Sequence, residues 1–370
     1  MEPSKKNITF VVTQDCNFAC RYCYLVHKNR EGRMPVQVAR AAIDYLLEHR
    51  DLFWEDEAIW DFMGGEPLLE VDLIEQIIEH VRQRAFELDH PWFTHSLFSI
   101  TTNGALYGTP QVQRLLERHG RMLDVGLTID GPEHVQDMER VFPDGSGTYQ
   151  QVAANIPLWL ERYPDAATKI TISPNNLPYL AESVLHVFSL GVRQINANVV
   201  FEDVWRPGDD AILEEQLDRL GQAMLEQGLH PRHSCSLFSP MIGQPLDPRN
   251  DTNWCGPGRM LAIDAEGTFY PCNRFMPFSL VKRPCRSIGN IHDGIDLNRL
   301  RPFLALTRSA QSPPECMTCE VASGCAWCQG LNYDEADTST IYQRATHICL
   351  LHKARVRATQ RFWARAGEGR

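Results

Sequence analysis

Twelve cysteines in a chain of 370 residues constrain this protein more than any other feature, because they are so unevenly placed. Cys16, Cys20 and Cys23 crowd the N-terminus, none lies between Cys23 and Cys235, and the rest fall between Cys235 and Cys349. No apolar segment follows Lys5 and Lys6 as a signal peptide would require, and no run approaches the roughly 20 apolar residues of a membrane span. A cytoplasmic location is therefore expected. Reducing cytosol disfavours structural disulfides, which leaves metal binding by two separate cysteine-bearing modules as the explanation. The formal net charge of -11 argues against nucleic acid held by bulk electrostatics, and mainly favours solubility.

Apolar, β-branched runs at 7–13, 58–63, 97–102, 124–129, 168–173 and 194–200 predict six strands. Between them lie segments with helical spacing: Val38, Ala42, Tyr45 and Leu46 after Pro35, then Leu73, Ile77, Ile78 and Val81. Weaker helical segments lie near 111–120, 149–163 and 177–190. Strands and helices alternating at this interval imply right-handed crossovers and a parallel sheet, an α/β fold of six units forming an open or partly closed barrel. Ligands of such a barrel belong at the carboxyl ends of its strands. After a charged helical stretch at 209–228 the texture becomes rich in Pro, Gly and Cys, with Met241 to Asn253 reading as linker. Two domains are expected, 1–235 and 236–370. The basic tail from His352 to Arg370 reads as a solvated helix face.

Cys16, Cys20 and Cys23 follow the first strand directly, where a site belongs. Three thiolates within eight residues can hold three corners of a cubane cluster, and soft sulfur favours iron–sulfur or zinc over hard cations. One iron would then lack a protein ligand, leaving an open coordination position. A zinc site completed by His27 and simple burial of the cysteines are the alternatives. Further along, the Gly64-Gly65-Glu66-Pro67 turn joins glycines that permit close approach to a carboxylate able to accept from an ammonium. Thr101, Thr102 and Asn103 end the third strand with hydroxyl and amide groups.

Cys-x-x-x-Cys-x-aromatic-Cys, with Tyr22 as the aromatic, resembles the signature of the radical S-adenosylmethionine (SAM) superfamily, and the resemblance extends over nearly the whole chain. It implies a [4Fe-4S] cluster on Cys16, Cys20 and Cys23 and a SAM amino group at Gly64, Gly65, Glu66 and Pro67. Thr102 and Asn103, then Thr128 and Asp130 with His134, Asp137 and Arg140 beyond them, correspond to contacts for the SAM ribose and carboxylate. Asn196 and Asn198 fall on one face of the sixth strand, and Asn198 is taken as an adenine-side contact.

Cys255, Cys272, Cys316, Cys319, Cys325, Cys328 and Cys349 form the second module. Pairs two apart at successive turns read as metal knuckles, a zinc ribbon among them. Their order resembles the SPASM domain of radical SAM peptide and protein maturases. The resemblance implies two auxiliary iron–sulfur clusters, one on Cys316, Cys319, Cys325 and Cys349 and the other on Cys255, Cys272 and Cys328. The latter set is one ligand short. Sulfatase maturases carry another cysteine soon after the first, and Gly256 to Ile263 offers none. Either Cys235 or Cys285 completes it, or the open iron takes a substrate thiolate. The final cysteine pair is also spaced by two residues rather than the family's usual three. Sulfatase maturases have an aspartate as proton acceptor after the cysteine matching Cys272; here stands Asn273, and a neutral amide is no general base.

Within that family the chain is most similar to thioether-forming maturases of the ranthipeptide and sactipeptide type. These couple a cysteine sulfur of a ribosomally made precursor peptide to a carbon of an acceptor residue, with net loss of two hydrogens. A flavodoxin or ferredoxin would supply electrons. Carbon–carbon crosslinking or oxidation of a protein side chain shares every cofactor motif, whereas a non-enzymatic electron carrier or zinc adaptor leaves the Gly64 to Pro67 and Thr128 to Pro132 segments without a purpose. Too few residues precede the first strand for a winged-helix peptide-recognition module, so leader binding is expected on another surface or another protein; the basic tail is one candidate.

Overall fold

All six expected strands form. The computed structural model describes residues 4–26, 28, 32–247, 249–253, 255–336 and 340–368. Strands β1 (Lys5–Thr13), β2 (Glu57–Gly64), β3 (Ser96–Thr102) and β4 (Leu123–Leu127) pair in parallel in that order. Helices α1 (Val36–Glu48), α2 (Val71–Glu87) and α3 (Pro110–His119) make the crossovers. After β4 come α4 (Glu133–Glu139) and α5 (Tyr149–Arg162), then β5 (Ala167–Ile172), α6 (Leu180–Ser189), β6 (Gln194–Val199), α7 (Asp209–Glu226) and the two-residue β7 (Ser234–Cys235). β5, β6 and β7 form a second parallel sheet. A parallel bridge between Thr128 and Lys169 joins the two sheets, with the Ile129 amide donating to the Lys169 carbonyl at 3.2 Å, so six strands curve into a partial barrel. The short α4 has no counterpart in the sequence reading.

On β2, Ala58, Trp60 and Phe62 are buried beneath the helices, while Asp61 and Met63 line the lumen. β5 repeats the arrangement, burying Thr168 and Ile170 and turning Lys169 and Thr171 inward to the lumen. Alternation of this kind separates a dry outer core from a polar interior.

The expected domain boundary is bridged twice. β8 (Leu261–Ile263) pairs in parallel with β1 and carries β9 (Thr268–Tyr270), β10 (Gly289–Asn290) and β11 (Gly294–Ile295) outward as an antiparallel extension of the same sheet. Short helices α8 (Leu297–Ala305), α9 (Arg308–Gln311), α10 (Pro314–Met317) and α11 (Gln329–Glu335) follow, and α12 (Cys349–Glu368) returns along α7. The basic tail is therefore not a free solvated face. Arg361 bonds Asp218 and Glu214, each at 2.7 Å, and Arg357 pairs with Glu214.

Apolar packing outweighs those ion pairs. Phe362 is buried and stacks on Phe238 with ring centroids 4.4 Å apart, whereas Arg361 is about a third exposed. Phe362→Ala is expected to cost about 3–5 kcal/mol and Arg361→Ala about 0.5–1 kcal/mol, read as shifts of the urea unfolding midpoint. Among the described residues no helix is long and apolar enough to cross a membrane.

Candidate active site

At the carboxyl ends of the strands a cavity of about 400 Å³ opens, and Cys16, Cys20 and Cys23 line it together. Their loop is tied down by backbone bonds: Ala19 donates to the Val141 carbonyl at 2.7 Å and Arg21 to that of Glu139 at 2.8 Å. Burial pushes the Cys16 thiol up to about 11 and raises that of Cys20, with Arg140 and Lys28 acting against the latter shift. Such thiols stay protonated without metal. Iron binding would release those protons and give three half-buried sulfurs around one cavity a use, so the donor set fits a cluster. His27, the zinc alternative's fourth ligand, lies outside the described residues.

The Gly64-Gly65-Glu66 turn is pressed against that loop. Gly65 donates to the Thr13 carbonyl at 3.1 Å and Glu66 to that of Asp15 at 2.8 Å. A Cβ on Gly65 would lie 2.1 Å from the Asp15 carbonyl oxygen, which explains the glycine by backbone contact. Glu66 is pinned: Oε1 accepts from the Leu68 amide at 3.0 Å and Thr102 Oγ1 at 2.7 Å, and Oε2 from the Asn103 amide at 2.8 Å. Burial nonetheless raises its pKa against these donors and the field of Arg140, so a bound ammonium would stabilise it.

Of the residues expected to contact SAM, Tyr22, Gly64, Gly65, Glu66, Thr102, Asn103, Thr128, Arg140 and Asn198 line the cavity. Pro67 and Asp130 do not. Pro67 opens a single 3₁₀ turn, and Asp130 lies behind the wall, accepting from Tyr22 Oη and from the Thr171 amide at 2.9 Å. Arg140 Nη1 in turn donates to Tyr22 Oη at 2.9 Å, while its buried Nε has no hydrogen-bond partner among the described residues. Asp137 caps the start of α5 through the Thr148 and Tyr149 amides, and His134 sits beside Glu182. Asn196 is absent from the cavity lining.

Sequence reasoning missed Tyr24, Lys28, Asp61, Lys169, Glu202 and Arg274, all of which line the cavity. The signal for Asp61 and Lys169 was a charged residue at an inward position of a strand, a pattern identical to that of a surface strand. Burial lowers the Lys169 pKa, opposed by Asp130.

The C-terminal module closes the cavity. Asn273, Arg274 and Cys328 line it, Arg274 bonding Glu202 at 2.7 Å and lying 4.6 Å from the Tyr24 ring centroid. Cys255, Cys272 and Cys328 are mutual electrostatic neighbours; burial pushes Cys255 up to about 12 and raises Cys272 further, reinforced in both by Cys328. Cys235 is buried near Arg355 and Cys285 is exposed near Tyr270, and neither lines the cavity. Cys316, Cys319, Cys325 and Cys349 line a separate cavity of about 100 Å³, where Arg344 Nη2 lies 3.2 Å from Cys325 Sγ. Four soft ligands around so small a space fit a closed cluster.

A parallel barrel with three cysteines at the mouth of its first strand, closed by a module with two more cysteine groups, agrees with the architecture that the resemblance to radical SAM enzymes with a SPASM domain implies. A family model for a 4Fe-4S single cluster domain matches residues 6–152. The solved structure of native anSMEcpe with bound AdoMet and Cp18Cys peptide shares the fold at a TM-score of 0.72 and 16% identity, over 99% of this chain and 100% of that one. An uncharacterized protein of Methanocaldococcus jannaschii is 25% identical over 79% of this chain and 91% of its own length. The antilisterial bacteriocin subtilosin biosynthesis protein AlbA of Bacillus subtilis is 22% identical over 89% of this chain and 69% of its own length.

Proposed function

We propose that the protein is a peptide maturase that installs thioether crosslinks, joining a cysteine sulfur of a ribosomally made precursor peptide to a carbon of an acceptor residue. The observation that carries this reading is Cys328. It belongs to the three-cysteine auxiliary set and also lines the cavity shared by Cys16, Cys20, Cys23 and the Glu66 turn. A peptide sulfur taken at the open position of that set would face the cofactor cavity directly. Together, a reduced cluster and SAM supply a hydrogen-atom acceptor when bound. This chain's own residues do the rest: Glu66 receives the SAM ammonium, Thr128 and Asn198 offer polar contacts, and Leu25, Val200 and Phe201 keep one wall apolar against water. The basic tail has lost its appeal as a leader anchor, since Arg357 and Arg361 are already engaged by α7.

Similarity to anSMEcpe with its bound peptide supports a second reading, oxidation of a protein side chain. Asn273 weighs against it. Incubating the cluster-loaded enzyme anaerobically with SAM, a strong reductant and a panel of cysteine-containing peptides is expected to yield a product two hydrogens lighter. Tandem mass spectrometry should then find sulfur bonded to a second residue. A product with its cysteine sulfur lost would overturn the thioether reading in favour of the second.

A further inference from the structure

We infer that Asp61 accepts the proton that the peptide must release during crosslinking. The inference rests on the maturase reading above. It starts from a gap: position 273 holds an amide, whose Nδ2 donates to Tyr24 Oη at 3.1 Å and lies 3.2 Å from Met63 Sδ. Asn273 therefore cannot take a proton near neutral pH, and another group must.

Among the described residues, the carboxylates lining the cavity are Asp61, Glu66 and Glu202. Glu66 is occupied by three donors and faces the SAM amino group's place; Glu202 is paired with Arg274 at 2.7 Å. Asp61 remains. It stands two residues before Met63 on the same lumen face of β2, a separation of about 7 Å along the strand, and so lies beside the Asn273 contact. Its ties are neutral hydroxyls, Ser99 from β3 and Thr9 from β1.

The charged and titratable groups that share the lumen with Asp61 are Cys16, Cys20, Tyr22, Cys23, Tyr24 and Lys28 from the cluster loop, Glu66 beyond the end of β2, Arg140 at the end of α4, Lys169 from β5, and Arg274, Glu202 and Cys328 from the cavity's closing side. Against this background burial holds Asp61 up, at about 6 rather than 3.8. A base of that strength is ionised at neutral pH yet able to hold a proton during reaction. Keeping it ionised also carries a structural cost. A folded-state value raised above the unfolded one removes stability as pH rises from about 4, and the loss is complete above about 6. An unpaired lumen carboxylate that weakens the fold is explained by a task.

One electron from the reductant would break the C5'–S bond of bound SAM and release methionine, and the acceptor carbon would give a hydrogen atom to the resulting adenosyl radical, forming 5'-deoxyadenosine. The peptide thiol gives its proton to the Asp61 carboxylate, its sulfur bonds the carbon, and the surplus electron would be taken up by the iron–sulfur cluster that Cys255, Cys272 and Cys328 would hold. Two hydrogens leave the peptide, one as an atom and one as a proton.

The test uses the cluster-loaded full chain with the first peptide from the panel above that the wild type converts with loss of two hydrogens. Asp61→Asn is expected to lower crosslinked product by about 10²-fold or more and to raise the ratio of 5'-deoxyadenosine to crosslink correspondingly. Asp61→Glu should recover part of the loss. Independently of turnover, Asp61→Asn should unfold at a higher temperature than wild type at pH 8, where a merely structural carboxylate would make the variant weaker. Crosslinking at the wild-type rate by Asp61→Asn overturns the inference, and so does a variant that is both destabilised and inactive. If no peptide in the panel is converted by the wild type, the maturase reading falls first and the role of Asp61 with it, a failure visible before any variant is made.

Discussion

Replacing Cys20 by Ala is expected to abolish SAM cleavage while leaving the protein folded. The loop around Cys20 does not depend on its sulfur for its shape, because the flanking Ala19 and Arg21 amides are held by the carbonyls of Val141 and Glu139. Phe18, fully buried, anchors the same loop from below with its ring edge against Phe142. What the substitution removes is one of three sulfurs from a site whose chemistry needs all three to leave a single open iron. Iron content should fall by one four-iron cluster, with the circular dichroism spectrum unchanged. 5'-Deoxyadenosine production by a variant of verified purity would defeat the assignment of these cysteines.

Gly65→Ala should be nearly as damaging for a different reason. The added methyl meets the Asp15 carbonyl oxygen at 2.1 Å and Cys16 Cβ at 2.8 Å, and the first of these is backbone that cannot rotate away. Relief requires the turn carrying Glu66 to part from the loop carrying Cys16, which breaks the 2.8 Å bond from the Glu66 amide to Asp15. Misplacement of about 1 Å between reacting groups costs on the order of 10²-fold in rate. SAM affinity should weaken in parallel, measurable by equilibrium dialysis of the cluster-loaded variant. Wild-type affinity and cleavage in Gly65→Ala would show that the two segments do not act as one unit.

The parts of this protein legible in its sequence are those with local signals. Apolar, β-branched runs mark all six barrel strands, cysteine placement marks two modules, and the family resemblance divides the second into the two groups that lie apart in the fold. What stayed hidden was long-range. β8 lies some 250 residues from its partner β1, and nothing in the short Leu261–Ile263 run announces a parallel pairing across that distance. A barrel lumen also disguises its residues. Asp61 and Lys169 occupy strand positions where polarity reads as an outer surface, and only closure of the barrel turns that surface inward. Asp130 differs in the opposite direction: the resemblance places it near SAM, and in the fold its two oxygens are engaged by Tyr22 and Thr171 behind the cavity wall. The basic tail misled because charge composition carries no information about a partner, and its partner, the acidic face of α7, is supplied from over a hundred residues away.

One anaerobic measurement tests the cluster assignment most directly: assemble the protein with iron and sulfide, add SAM and a strong reductant, and quantify 5'-deoxyadenosine alongside iron per chain. The expected result is 5'-deoxyadenosine together with iron equivalent to three four-iron clusters. Zinc in place of iron, with no SAM cleavage after verified cluster assembly, would contradict it.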